Sequence, residues 1–476
     1  MKLRFFSTHA HFYQPPREDP LTGIIPKEAG ALPYNNWNER IHSECYRPNA
    51  DMGNFEKISF NIGPTLIQWI TAYDPEAFRK IVSQDRANVQ RYGVGNALAQ
   101  AYNHTILPLA SYRDKVTQVY WGAVEFEYRF GRKPQGMWLP ETAVDNETLS
   151  ILADQGIEFT ILAPWQADRD DIDVTQPYRV RLPEGQSICV FFYHKELSGG
   201  ISFNPELTVD ADQFAAQELA ANFQSEKLQR GEPQLLLIAT DGELYGHHQP
   251  LRNHFLAHLM NGAVSHQGID PIFPGVWLRN YPVRHSVGIR ESTSWSCHHG
   301  VNRWLGNCPC TPEDSSWKGH LRLAFERLSQ TIDDIYENAL SGVVSDPWGL
   351  RNRYIYAILG IEKAENLIHE AASRRLPDEK VVQIHMLLEA QRERQRMYTS
   401  CGWFFEDFDR IEPKNNLAYS SQATRLVRMA TGIDLEPYAV RDLSKVISPH
   451  TGLRADRLFE YYLKRAVLDG RIVAGD

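Results

Sequence analysis

Short, nearly continuous apolar runs recur between residues 3 and 239, and stretches with the spacing of amphipathic helices lie between them. The runs are 3–8, 57–61, 135–139, 158–163, 187–193 and 234–239. They lack the in-and-out alternation of a half-exposed sheet, so they suit strands buried on both faces, as in a parallel sheet. The segments 75–92, 112–130, 146–154 and 209–228 carry helical periodicity. A parallel pair needs a crossover long enough to hold a helix, so this alternation predicts βαβ units and a sheet of about six or seven strands. From about Cys310 the texture changes: 317–340, 350–374, 378–399 and 418–430 read as helices with no strands between them. The charged stretch Glu389–Arg396 within them reads as a solvated helix face. The chain is therefore expected to be α/β over 1–309, with an all-helical domain over 310–476.

Composition narrows the function. Of 476 residues 42% are hydrophobic and 23% charged, enough apolar side chain for a large core and too much for disorder. Fifty Lys and Arg stand against 59 Asp and Glu, a net charge of −9, which argues against nucleic acid or an anionic membrane as partner. No run approaches the ~20 apolar residues of a membrane span, and the start turns polar at Ser7-Thr8-His9, too soon for a signal-peptide core. Six Cys in such a length do not make a disulfide framework. A cytoplasmic protein is expected, and its oligomeric state stays unassigned. Several of the 11 Trp and 21 Tyr fall in polar, Gly- and Pro-rich segments, where flat rings suit sugar binding or an interface.

Three segments place reactive side chains just after expected strands: Thr8-His9-Ala10-His11-Phe12-Tyr13-Gln14-Pro15, Trp138-Leu139-Pro140-Glu141, and Thr240-Asp241-Gly242-Glu243-Leu244-Tyr245-Gly246-His247-His248. Ligands bind at the carboxyl ends of strands in barrels and open α/β sheets. A carboxylate there is a better catalytic candidate than one on a helix, although Asp241 alone also reads as a helix N-cap. Two carboxylates among aromatic and imidazole rings suit glycoside cleavage, in which one attacks or stabilises the anomeric centre and a protonated one serves the leaving oxygen.

The combination His9-x-His11 with Gln14-Pro15, Gly95-Asn96 leading to His104-Thr-Ile-Leu-Pro108, Trp138-Leu-Pro-Glu141 and Asp241-Gly-Glu-Leu-Tyr-Gly246 resembles glycoside hydrolase family 57. The four motifs stand in that family's order. The resemblance implies an incomplete (β/α)7 barrel followed by helices, and a retaining reaction on α-glucans. Glu141 would be the nucleophile and Asp241 the general acid/base, with His9, His11, Gln14, His104, Trp138 and His247 at the sugar subsites and Trp295 in a fifth region near Thr293–His298. Phe12-Tyr13 intervene before Gln14-Pro15, His247-His248 stand where the family usually has Trp, and residues 34–56 form an insertion rich in Asn and aromatics. The stretch Tyr398–Phe408 resembles part of an uncharacterised C-terminal domain found in one branch of the family. Hydrolysis is the default expectation; a 4-α-glucanotransferase or branching-type reaction, and a carbohydrate-binding protein without turnover, are the alternatives.

No cofactor or metal is expected. Cys297-His298-His299 and Cys308-Pro309-Cys310 carry zinc-type ligands, but their spacing matches no standard finger and free Cys are often simply buried. His9-x-His11 at a strand end suits a catalytic metal as well, yet no clear Asp partner stands nearby.

Overall fold

The computed structural model describes residues 3–468 and 471–474, with the backbone alone for the stretches after Arg465; the ends of the expected helical domain at 469–470 and 475–476 lie outside it. The chain divides into two compact units. The first holds Met1–Gln14, Lys27–Tyr102 and Gly122–Ser296, and the second holds Pro15–Pro26, Asn103–Trp121 and Cys297–Asp476.

In the first unit, β1 (Arg4–Phe12), β2 (Ser59–Ile62), β3 (Ala97–Gln100), β4 (Met137–Trp138), β5 (Phe159–Leu162), β6 (Tyr178–Arg181), β7 (Ser187–Phe192) and β8 (Gln234–Asp241) supply the framework. One sheet runs β4-β3-β2-β1-β8, all parallel. A second carries β5 parallel to β7, with β6 antiparallel to β7. A parallel bridge from Gly136 to Phe159 joins the β4 edge to β5, and the His194 N–H donates to the Leu237 carbonyl of β8 at 2.7 Å. The sheet therefore curls toward closure as the incomplete barrel expected. Its interior is packed with Phe5, Leu98, Phe159, Ile161, Phe191, Leu235, Leu237 and Trp277.

The helices 75–92, 112–130 and 146–154 form where their periodicity placed them. Asp74 caps the first through its carboxylate and Gly93 ends it in the left-handed region. Gly122 lets the second approach β3, since a Cβ there would sit 2.0 Å from the Gln100 carbonyl oxygen. The expected helix 209–228 is instead broken: a π turn (Phe214–Leu219) and a 3-10 turn (Ala220–Asn222) separate short α pieces. β3 has no counterpart among the expected runs, because Ala-Leu-Ala-Gln is short and weakly apolar. The insertion 34–56 folds into short helical turns from Trp37 to Lys57.

Among the described residues the second unit is helical, as expected, with one short antiparallel pair, β9 (Arg465–Leu468) with β10 (Arg471–Ala474), near its end. Helices Trp317–Leu340, Asp378–Arg396 and Ile411–Thr431 form its centre. The expected 350–374 helix divides into Pro347–Arg353, Ile355–Ile358 and Ala364–Ala371. The solvated face expected of Glu389–Arg396 is also corrected: Gln391, Glu393, Arg394 and Gln395 are buried. Their charges are matched inside the unit. Arg394 Nη1 lies 2.8 Å and Arg351 Nη1 3.0 Å from Asp114, and Arg394 Nη2 is 2.6 Å from Asp333. Burial opposes the Asp114 charge, but Arg394 and Arg351 hold its carboxyl well below the usual range. Asp114 explains why residues 103–121 belong here, and the pairs Glu18–Arg396 and Asp19–Arg465 do the same for 15–26. Among the described residues no helix is long and apolar enough to cross a membrane.

Candidate active site

The inward column of β1 reads Phe5, Ser7, His9, His11, since β side chains alternate. Its register pairs those residues with Leu235, Leu237, Ala239 and Asp241 of β8. His11 also faces Asn61 of β2, and Trp138 ends β4 opposite Gln100. The barrel interior thus changes from apolar to polar toward the carboxyl ends of its strands, and His9, His11, Trp138 and Asp241 lie at that end.

His9, His11 and Trp138 form a layer there. Both imidazoles lie nearly parallel to the Trp138 ring, at 4.6 Å and 19° for His9 and 5.2 Å and 23° for His11. His9 Nδ1 lies 2.9 Å from Ser59 Oγ and its Nε2 3.1 Å from Asn61 Oδ1. Asn61 Nδ2 is 3.0 Å from His11 Nδ1 and donates to Gln100 Oε1 at 2.8 Å. Burial, with the His11 charge adding to it, pushes His9 down to about 3; burial pushes His11 down to about 4. Both rings are therefore neutral at ordinary pH. His9 and Trp138 have no exposed surface, so they support the site from beneath.

Glu141 follows β4 in a single turn, Pro140–Thr142, and sits in the left-handed region with φ 57° and ψ 22°. Thr142 shares that conformation at φ 47°. Two adjacent non-glycine residues there cost of order 1–3 kcal/mol each and persist only where surroundings over-determine them. The Gln166 amide does so, accepting from Thr142 Oγ1 at 2.8 Å and donating to the Thr142 carbonyl at 2.7 Å. The Trp295 N–H donates to the Glu141 carbonyl at 3.0 Å. The strain aims the carboxylate at two further donors: Oε2 accepts from Trp295 Nε1 at 3.0 Å and from Ser296 Oγ at 2.6 Å.

Asp241 ends β8 and opens to solvent. The protein around it, and after that the negative charge of Glu141, raise its carboxyl to about 7. Water at the open face offsets part of the first effect, while the electrostatic coupling to Glu141 places the two carboxyls in one field. Glu243, two residues on, is buried and drawn up to about 8, chiefly by burial. Its Oε1 accepts from the Tyr13 N–H at 3.0 Å and from Tyr46 Oη at 2.6 Å.

The 34–56 insertion braces this loop. Besides Tyr46, Asn49 Nδ2 donates to the Tyr245 carbonyl at 2.8 Å, and Glu44 binds the His247 imidazole. Gly246, at φ 139°, is required where a Cβ would meet the Glu44 carbonyl oxygen at 2.3 Å. Gln14 is half-buried, bonded to Tyr46 through its side chain and accepting from Thr65 Oγ1 at 2.7 Å through its carbonyl. His104 belongs to the second unit, with its Nδ1 2.6 Å from Ser400 Oγ. Sequence reasoning missed Ser59, Asn61, Glu243 and Ser296. Glu243 and Ser296 carried a signal, each lying inside a segment already singled out.

The sequence profile of glycosyl hydrolase family 57 matches residues 18–277. A domain of unknown function, DUF3536, matches 314–475. Alpha-amylase 1 of Dictyoglomus thermophilum is 24% identical over 219 residues, which cover 44% of this chain and 29% of that enzyme, so the match spans under a third of the relative. The exo-type maltose-forming amylase of Pyrococcus sp. ST04 superposes with a TM-score of 0.75 at 16% identity, covering 98% of this chain and 89% of that one. The branching enzyme of Pyrococcus horikoshii superposes with a TM-score of 0.63 at 16% identity, over 96% of this chain and 97% of that one. At those identities the superpositions speak for the fold. With the family profile matching more than half of its residues, the chain belongs to glycosyl hydrolase family 57.

Proposed function

We propose that the chain is a retaining glycoside hydrolase acting on α-glucans, with Glu141 as nucleophile and Asp241 as general acid/base. One observation carries the reading: two carboxyls at strand ends stand in opposite surroundings. Glu141 Oε2 receives two hydrogen bonds suited to a carboxylate, while Asp241 is pushed toward its protonated form. Carboxyls whose environments drive them apart are the pattern of an acid and its partner. The substrate class follows the relatives, an alpha-amylase, a maltose-forming amylase and a branching enzyme.

In the first step the Glu141 carboxylate bonds to the anomeric carbon, the glycosidic C–O bond breaks, and the leaving oxygen takes the Asp241 proton. Esterified Glu141 no longer carries its charge, so one of the two influences raising Asp241 is removed. Asp241, now a carboxylate, takes a proton from water as that water's oxygen replaces Glu141 on the sugar. The neutral His9 and His11 present no cation to the positive charge developing at the anomeric carbon. The half-buried Trp295 ring beside Glu141 offers flat apolar surface for a sugar.

Maltoheptaose, pullulan and glycogen incubated with wild type and Glu141→Gln, with products resolved by chain length, test the reading. Shorter sugars formed by wild type and absent with Glu141→Gln are expected. Longer products beside shorter ones mean transfer instead of hydrolysis, and unchanged glucans overturn the proposal.

A further inference from the structure

A second cluster, within the other unit, has no part in that chemistry. The stretch after Cys297 turns back through a 3-10 turn at Asn302–Trp304, where Val301 and Trp304 are buried. This brings Cys297-x-His299 against Cys308-x-Cys310. Cys297 and Cys308 Sγ are 3.6 Å apart, and His299 Nδ1 lies 3.3 Å from Cys310 Sγ and 3.5 Å from Cys308 Sγ. One ligand atom from each of the four residues lies within 4.8 Å of the others.

We infer that Cys297, His299, Cys308 and Cys310 form a closed, tetrahedral zinc site of the Cys3His type. Zinc–sulfur bonds of about 2.3 Å and a zinc–nitrogen bond of about 2.0–2.1 Å, at tetrahedral angles, put sulfurs about 3.8 Å apart and nitrogen about 3.6 Å from sulfur. The separations in the cluster fall close to these. A disulfide needs its sulfurs at about 2.05 Å, well inside the 3.6 Å between Cys297 and Cys308. Hydrogen bonding alone explains the cluster poorly, because two weak thiol donors, Cys308 and Cys310, would share one imidazole nitrogen while Cys297 meets only another sulfur. Simple burial of apolar thiols explains it poorly too, since His299 is exposed and Cys310 half-buried.

The charge balance supports the same occupant. Three thiolates and one zinc ion leave one negative charge. Lys318 is fully buried, its ammonium donates to Thr311 Oγ1 at 3.1 Å, and it lies within electrostatic reach of Cys308 and Cys297. A buried ammonium needs a compensating anion, and the metal–thiolate centre is one, alongside the Glu406 carboxylate also within reach. With four protein ligands and no open position, the site fastens the 297–310 loop and performs no chemistry.

The test is metal content and coordination in the full-length protein. Protein from zinc-supplemented cells, purified without chelator, should carry about one zinc per chain. After the ion is removed with thiols kept reduced, added Co2+ should produce thiolate-to-cobalt charge-transfer and tetrahedral ligand-field absorption. Cys308→Ser and His299→Ala should lose both signals, and Cys189→Ser, in the other unit, should keep them. Because Cys308→Ser can fail to fold, the wild-type cobalt spectrum decides by itself. Absence of zinc together with absence of that spectrum overturns the inference. So does a thiol count two short of the six cysteines in untreated protein, which would mean a Cys297–Cys308 disulfide.

Discussion

Replacing Glu243 with Gln should stabilise the protein, and the gain should grow with pH. Glu243 ionises at the ordinary value of 4.5 in an unfolded chain and is raised to about 8 in the fold, by burial first and then by the Asp241 charge. Below pH 4.5 the carboxyl is protonated in both states and ionisation costs nothing. As pH rises from there through about 8, the unfolded chain releases its proton first, so stability is lost progressively. The gap of 3.5 between the two values corresponds to a limiting loss of about 5 kcal/mol at high pH, and to about 3 kcal/mol at pH 7. A folded value one unit lower changes the pH 7 figure only slightly. Gln keeps the oxygen that accepts from the Tyr13 N–H and Tyr46 Oη but cannot ionise. Exchanging an acid for an amide adds a fixed offset, so the slope is what to read: about 1.4 kcal/mol per pH unit between roughly pH 5 and 8. Thermal or urea unfolding of both proteins at pH 5, 6, 7 and 8 measures it. A stability difference that stays flat across those four values refutes the argument, because a carboxyl held neutral by the fold cannot give a pH-independent difference.

Further outcomes bear on the proposed chemistry. Asp241→Asn should lower kcat by ~10²–10⁴. The wild-type rate should fall as pH rises through about 7, where protonated Asp241 is lost; initial rates from pH 5 to 9 check this, and a profile flat above pH 6 contradicts the acid role. Ser296→Ala removes a 2.6 Å donor to Glu141 Oε2. A hydrogen bond to a charged group is worth about 1.5–3 kcal/mol, so kcat/KM should drop roughly 10- to 100-fold, and an unchanged value would separate that donor from catalysis.

What could be read in advance, and what could not, divides along physical lines. The helices 75–92, 112–130, 146–154 and 317–340 were legible to the residue because periodic apolar positions agree with Asp74-Pro75, Ser111, Asp145 and Ser316 at the starts and with Gly or a turn at the ends. Glu141 and Asp241 were legible as carboxyls after apolar runs. The Glu389–Arg396 stretch misled because charge in a sequence looks the same whether water or a buried counter-ion meets it. Asp114 and Asp333, which neutralise Arg394, lie far away in the chain. Ser59 and Asn61 were hidden for a related reason. A single hydroxyl or amide has no pattern, and its importance comes only from the tertiary partner it meets. The four-ligand cluster failed a template of spacing while meeting the requirements of distance.

The ties of residues 15–26 to the second unit also govern how the chain is made. Asp19 pairs with Arg465, 446 positions later, and the Glu18 carbonyl accepts from Tyr419 Oη, 401 positions later. At ~5–20 residues per second, roughly 20–90 s of synthesis separate Asp19 from its partner. For most of that interval the amino-terminal strand and the segment after it have been made, while the helices that segment belongs with are not yet complete. Slower translation lengthens the exposure of that nascent segment, which makes the yield of folded protein sensitive to elongation rate and to chaperones that shield unfinished chains.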